Sequence, residues 1–135
     1  GSSKEQVIIY EKIKEVCLDK NIIPSFASEA GEKVEEINVI NYINNKQPAL
    51  FISFNDSNKN LVEHFKGTFS ESIVGKKISE SIAGEFNIPI VGRSSNLLKN
   101  TKSVSIIING KFYQSDQVEK ITYFLLESLN ETLST

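Results

Sequence analysis

The stretch "ALFISFNDSN", residues 49–58, runs from an apolar segment straight into Asn, Asp and Ser. Residues 49–54 show little polar alternation, which marks a strand buried on both faces, as in a parallel sheet covered by helices on either side. In α/β proteins ligands gather at the carboxyl ends of such strands. Asn55 opens the polar cluster at that position, so the chemistry its side chain can support is the first functional question.

Working outward, the chain alternates helical and strand-like patterns. Residues 4–20 place Ile9, Ile13, Val16 and Cys17 at helical spacing, with Asn21 as a stop. "IIPSFA" (22–27) reads as a short strand, and Pro24 argues for a position near the sheet edge. Residues 31–47 form an amphipathic pattern with Val34, Ile37, Ile40 or Asn41, and Ile43 or Asn44 along its inner stripe, ended by Pro48. "LVEHFKGTF" (61–69) is a weaker strand pattern. Residues 72–87 carry Val74, Ile78, Ile82 and Phe86 on one line, the core face of a helix. "IPIVG" (88–92) and "SVSIIIN" (103–109) are strand-like, and residues 115–133 are helical, with Ser115 as N-cap. The expected fold is therefore α/β: one domain over residues 4–135, with a mostly parallel twisted sheet flanked by helices on both faces. Gly1-Ser2-Ser3 reads as an expression scar.

Composition narrows the function. The chain has 135 residues, with 15 Lys and Arg against 17 Asp and Glu, a formal charge of −2 and a pI near 5.5. That balance gives no electrostatic footprint for nucleic acid and no polybasic face for anionic lipid. The apolar runs are too short for a membrane span. The single cysteine, Cys17, excludes an internal disulfide, and its helical spacing makes it a small core residue. With one histidine, His64, and that one cysteine, a Ser or Cys hydrolase lacks its parts. The two best strands end in "NDSN" (55–58) and "NGK" (109–111), whose amides and hydroxyls can hydrogen-bond a polar ligand or simply make turns.

Four stretches, read in order, resemble the zinc-dependent N-acetylmuramoyl-L-alanine amidases of bacterial autolysins and phage endolysins. They are "PALFISFNDS" (48–57), "LVEHF" (61–65), "GKKISESIAGEFN" (75–87) and "SNLLKNTKSVSIIINGKF" (95–112), with "NTK" at 100–102. The resemblance runs in register over roughly residues 5–133, apart from a shortened segment after Phe112. It implies an amidase-like fold and a zinc held by a first-strand His, a Glu at the start of the first helix and a His after the "FIS" strand, with a catalytic Glu at the end of the strand matched by 104–109. No counterpart of that first strand and its His is found in the chain. The helix Glu falls near Glu5 or Lys4, the second His is Asn55, and the catalytic Glu is Asn109.

Those departures remove the chemistry. A catalytic zinc needs three protein ligands and an open position, and an amide at 109 cannot take a proton from attacking water. The resemblance thus implies a catalytically inactive domain that uses no cofactor or metal and keeps its groove for binding bacterial cell wall, peptidoglycan or an associated polymer. It places the domain outside the cell or in the wall. Candidate ligand-binding residues are Asn55, Asp56, Asn58, Arg93, Asn96 and Asn109. Two alternatives remain: a module that dimerises or docks a cell-wall hydrolase, and an active amidase fragment. Richness in Ile, Lys and Asn is compatible with the AT-rich genome of a Gram-positive bacterium or its phage.

Overall fold

The computed structural model describes residues 11, 14–15, 17, 21–28 and 36–110. Their elements are β1 (Ile22–Ser28), α1 (Glu36–Lys46), β2 (Leu50–Asp56), β3 (Leu61–Phe65), α2 (Ile73–Phe86), β4 (Ile90–Arg93), α3 (Asn96–Asn100) and β5 (Val104–Gly110). The helix expected over 115–133, most of that over 4–20, and the positions of Glu5 and Val34 lie outside the described residues.

The five strands form one sheet in the order β1-β2-β5-β3-β4. β1 with β2, β2 with β5, and β3 with β4 pair parallel, while β3 runs antiparallel to β5. The sheet is therefore mixed: β3 and β4 run against the other three strands. The physical reason is the short link between β2 and β3. Residues 57–60 span at most roughly 14 Å, too little to carry the chain back along a strand for a parallel crossover. Pro24, which has no N–H to give a neighbour, sits on β1 at the end of the sheet, where the missing donor is tolerated.

Leu50, Phe51 and Ile52 are all fully excluded from solvent. Successive side chains of a strand point to opposite faces, so both faces of β2 are covered. One face joins Leu50, Ile52, Phe54, Val62, Ile106 and Ile108 to Ile78 and Ile82 of α2 and to Cys17. Val74 and Phe86 flank that cluster, completing the expected line of α2. α2 starts where Ser72 accepts a hydrogen bond from the Gly75 amide and ends at Asn87, whose left-handed φ of 54° closes the last turn. Ile40, Ile43 and Leu98 are buried outside this cluster. There α1 and α3 are tied by the Asn44 side chain, which donates to the Asn100 carbonyl (2.9 Å) and accepts from the Lys102 amide (2.7 Å). Ile37 departs from the expected stripe: it stands in the first turn of α1 and is exposed. Among the described residues no helix is long and apolar enough to cross a membrane.

Burial pushes the Cys17 thiol up to about 11. Since the thiolate is the nucleophile, Cys17 should be alkylated by iodoacetamide at pH 8 far more slowly in the native protein than in denaturant. Equal rates in the two states would mean that the Cys17 thiol is not part of the core.

Candidate functional site

Strand register sets Asn55 of β2 beside Asn109 of β5, with Leu61 of β3 opposite Asn109. On the same face, alternation along β3 and β4 places Glu63 and Arg93. Side chains from these four strands join through hydrogen bonds and one ion pair. Asn55 Nδ2 donates to Asn109 Oδ1 at 2.8 Å, and Asn109 Nδ2 donates to Glu63 Oε2 at 2.7 Å and to the Leu61 carbonyl at 3.3 Å. Arg93 Nε reaches Glu63 Oε1 at 3.2 Å.

Burial explains why the links are complete. Asn109 is 6% exposed and Glu63 9%, and a carboxylate so placed needs both a countercharge and donors on its oxygens. Arg93 supplies the charge and Asn109 one of the donors. In turn, the Asn109 amide is oriented by partners on both its ends, with its oxygen taken by Asn55.

The candidate residues fall into separate groups. Asn55 and Asn109 meet directly, and Arg93 joins them through Glu63. Asp56 is the last residue of β2, and Asn58 is exposed just beyond it. Asn96 stands apart. It opens α3, whose bonds through Asn44 and Lys102 hold it at the edge where β2 and β5 begin, opposite the edge where Asn55 and Asn109 lie. Because β4 runs against β5, the backbone of Arg93 also starts from that lower edge, and its long side chain returns along the face to Glu63.

Glu63 escaped the reading of the sequence, although a signal was present. A carboxylate in the middle of the apolar strand "LVEHF" predicts a buried ion pair, and the chain holds a single arginine to meet it.

His64 points the other way, as a neighbour of Glu63 must. It is buried beneath α2, where a Cβ on Gly75 would come within 3.6 Å of its own Cβ. Its Nε2 lies 2.8 Å from Glu71 Oε2. The His64 hydrogen bond holds the Glu71 carboxyl below the usual carboxylate range, outweighing its desolvation, with smaller help from Lys76 and Lys66. His64 is thus a core histidine on the face away from Asn55.

The donor set does not fit a zinc ion. Asn55 and Asn109 offer neutral amides already bonded to each other, and both oxygens of Glu63 are engaged by protein donors. Among the described residues there is no group of three or more His, Cys, Asp or Glu able to hold a metal.

No family model and no curated protein matches this chain. Solved structures do match. The CwlD amidase from Clostridioides difficile, solved in complex with the GerS lipoprotein, superposes with a TM-score of 0.66 at 16% identity over 97% of this chain and 85% of that one. The N-acetylmuramoyl-L-alanine amidase AmiC2 of Nostoc punctiforme gives 0.64 at 10% identity over 94% of this chain and 81% of that one. Cwp6 from Clostridium difficile gives 0.65 at 14% over 96% of this chain, which spans 25% of that longer chain. The fold is therefore that of N-acetylmuramoyl-L-alanine amidases. At these identities the likeness concerns the fold and leaves the chemistry to the residues.

Proposed function

We propose that this domain is a catalytically inactive relative of the amidases that works by binding bacterial cell wall, outside the cell or in the wall itself. The observation that carries the reading is the Asn55–Asn109 amide pair at the carboxyl ends of β2 and β5, braced by Glu63. By the resemblance those two positions belong to a zinc ligand and a general base. Amides serve neither role, yet they are good partners for the amide, hydroxyl and carboxylate groups of glycan and peptide. The rim would comprise Asn55, Asp56, Asn58 and Arg93 around the buried Asn109, with Asn96 a separate contact on the far edge.

Co-sedimentation with purified peptidoglycan tests this directly. The domain should be retained, and protein purified without added metal should hold well under one zinc per chain. A net hydrogen bond contributes roughly 0.5–1.5 kcal/mol, so Asn55→Ala combined with Asn58→Ala should weaken retention by roughly tenfold. Asn109 is left intact in this variant because it braces Glu63. Absence of wild-type retention on any wall preparation would remove the reading, as would stoichiometric zinc lost on Asn55→Ala.

One observation favours the alternative of a protein-docking module. Phe69 is 98% exposed and Ile73 69% exposed, four residues apart at the turn that leads into α2, and contiguous apolar surface of that kind is what a protein partner covers. CwlD, solved in complex with a lipoprotein, supports a protein partner for a domain of this fold.

A further inference from the structure

Arg93 is the only arginine in the chain, and the other cationic side chains are all lysines. Its place is at the one buried carboxylate of the sheet face. A lysine there would neutralise Glu63 as a point charge. A guanidinium does so with one edge and keeps its remaining donors in a fixed plane.

The arginine side chain is only half covered. Arg93 meets Glu63 Oε1 through Nε, and Glu63 is itself held by Asn109 through its other oxygen. The guanidinium is thereby paired with a nearly buried carboxylate, while the arginine side chain is 49% exposed. Glu63 is its ion-pair partner among the described residues. With about half of its surface exposed and Glu63 met through Nε, the side chain retains N–H donors of the kind that match a carboxylate bidentately. The ion pair matters because a free surface arginine loses more rotamer entropy on binding than one already tethered to a carboxylate.

We propose that Arg93 is a carboxylate-binding fork that recognises a free carboxyl group on the peptide portion of the wall polymer. This rests on the cell-wall reading above and assigns the ligand chemistry of that same face. A peptide carboxylate fits better than a polyphosphate. A polyanion is held by many cations at once, and a chain with 15 cationic against 17 acidic residues and a net charge of −2 offers no such field.

The single arginine makes the test direct, because one Nε–Hε signal is expected in the proton–nitrogen spectrum of the whole protein. Two probes are compared: a muramoyl dipeptide with its glutamyl α-carboxyl free, and the same compound with that carboxyl amidated. The free acid should shift the Arg93 Hε signal saturably and bind roughly tenfold or more tightly than the amide, the scale of a charged hydrogen-bond pair. Arg93→Lys, which keeps the charge and protects Glu63 from isolation, should abolish that preference with its circular dichroism unchanged. Equal affinity for acid and amide would overturn the fork, as would a preference that survives Arg93→Lys. If the wall is retained but both dipeptides bind alike, the carboxylate assignment falls and the wall-binding reading stands. If neither wall nor dipeptide binds, both fall. A glycerol-phosphate polymer that moves the Hε signal more strongly than the free acid would assign the fork to phosphate and reject the peptide carboxyl.

Discussion

Replacing Asn109 by Asp should destabilise the protein by about 3 kcal/mol near neutral pH, a large effect for an isosteric change. The side chain is 6% exposed, and its Nδ2 donates to Glu63 Oε2 at 2.7 Å and to the Leu61 carbonyl at 3.3 Å. Aspartate turns that donor into an acceptor. Two hydrogen bonds are lost, and a second negative oxygen is pressed against Glu63 with only Arg93, on the far oxygen, to offset it. The pH dependence has a definite sign. Two carboxylates in contact cannot both stay ionised without strain, so the folded variant holds a proton that the unfolded chain releases. The state binding more protons is favoured as pH falls, and the deficit against wild type should shrink between pH 7 and pH 4.5. Urea unfolding at both values measures this. Asn55→Asp, at a half-buried position with one bond to lose, should cost only about 1 kcal/mol. A variant at 109 as stable as wild type, or one whose deficit is the same at both pH values, would mean that Asn109 does not bear on Glu63.

This network also shows where the sequence was legible and where it was not. The strand at 50–56 and the helix at 73–86 could be read because burial writes itself into spacing: Leu50, Phe51 and Ile52 are apolar on both parities, and Ile78 and Ile82 lie a turn apart. The ends of that helical stretch, Ser72 and Asn87, are the residues that cap α2. Strand direction is not written that way. "LVEHF" looks the same read up or down the sheet, and only the four-residue link from Asp56 to Leu61 forces β3 to run against β2 and β5. Missing that reversal made all six candidate residues look like occupants of one edge, whereas Asn96 and the backbone of Arg93 belong to the other. The pairing of Asn55 with Asn109 follows from register between strands far apart in sequence, which no local pattern encodes. Glu63 was hidden for a related reason: its meaning depends on Arg93 arriving from a different strand.

Truncating Phe51 to Ala should have the other large effect, a loss of about 4 kcal/mol. β2 is flanked by β1 and β5, and Phe51 lies between Ile23 and Ser105 with no exposed surface. Phe51 shares its sheet face with Asn55 by alternation along the strand, so it lies on the side of the sheet away from the Ile78–Ile82 cluster. Losing the ring removes its transfer energy and leaves a cavity that a five-stranded sheet cannot collapse around, because backbone hydrogen bonds on both sides fix β2 in place. Phe51→Leu retains most of the volume and should cost about 1–1.5 kcal/mol. The two variants together separate burial from shape. Chemical denaturation should give the Ala variant a midpoint well below that of Leu, with an unchanged slope if the unfolding remains two-state. A loss under about 1 kcal/mol for Phe51→Ala would mean that this face of β2 is open to water.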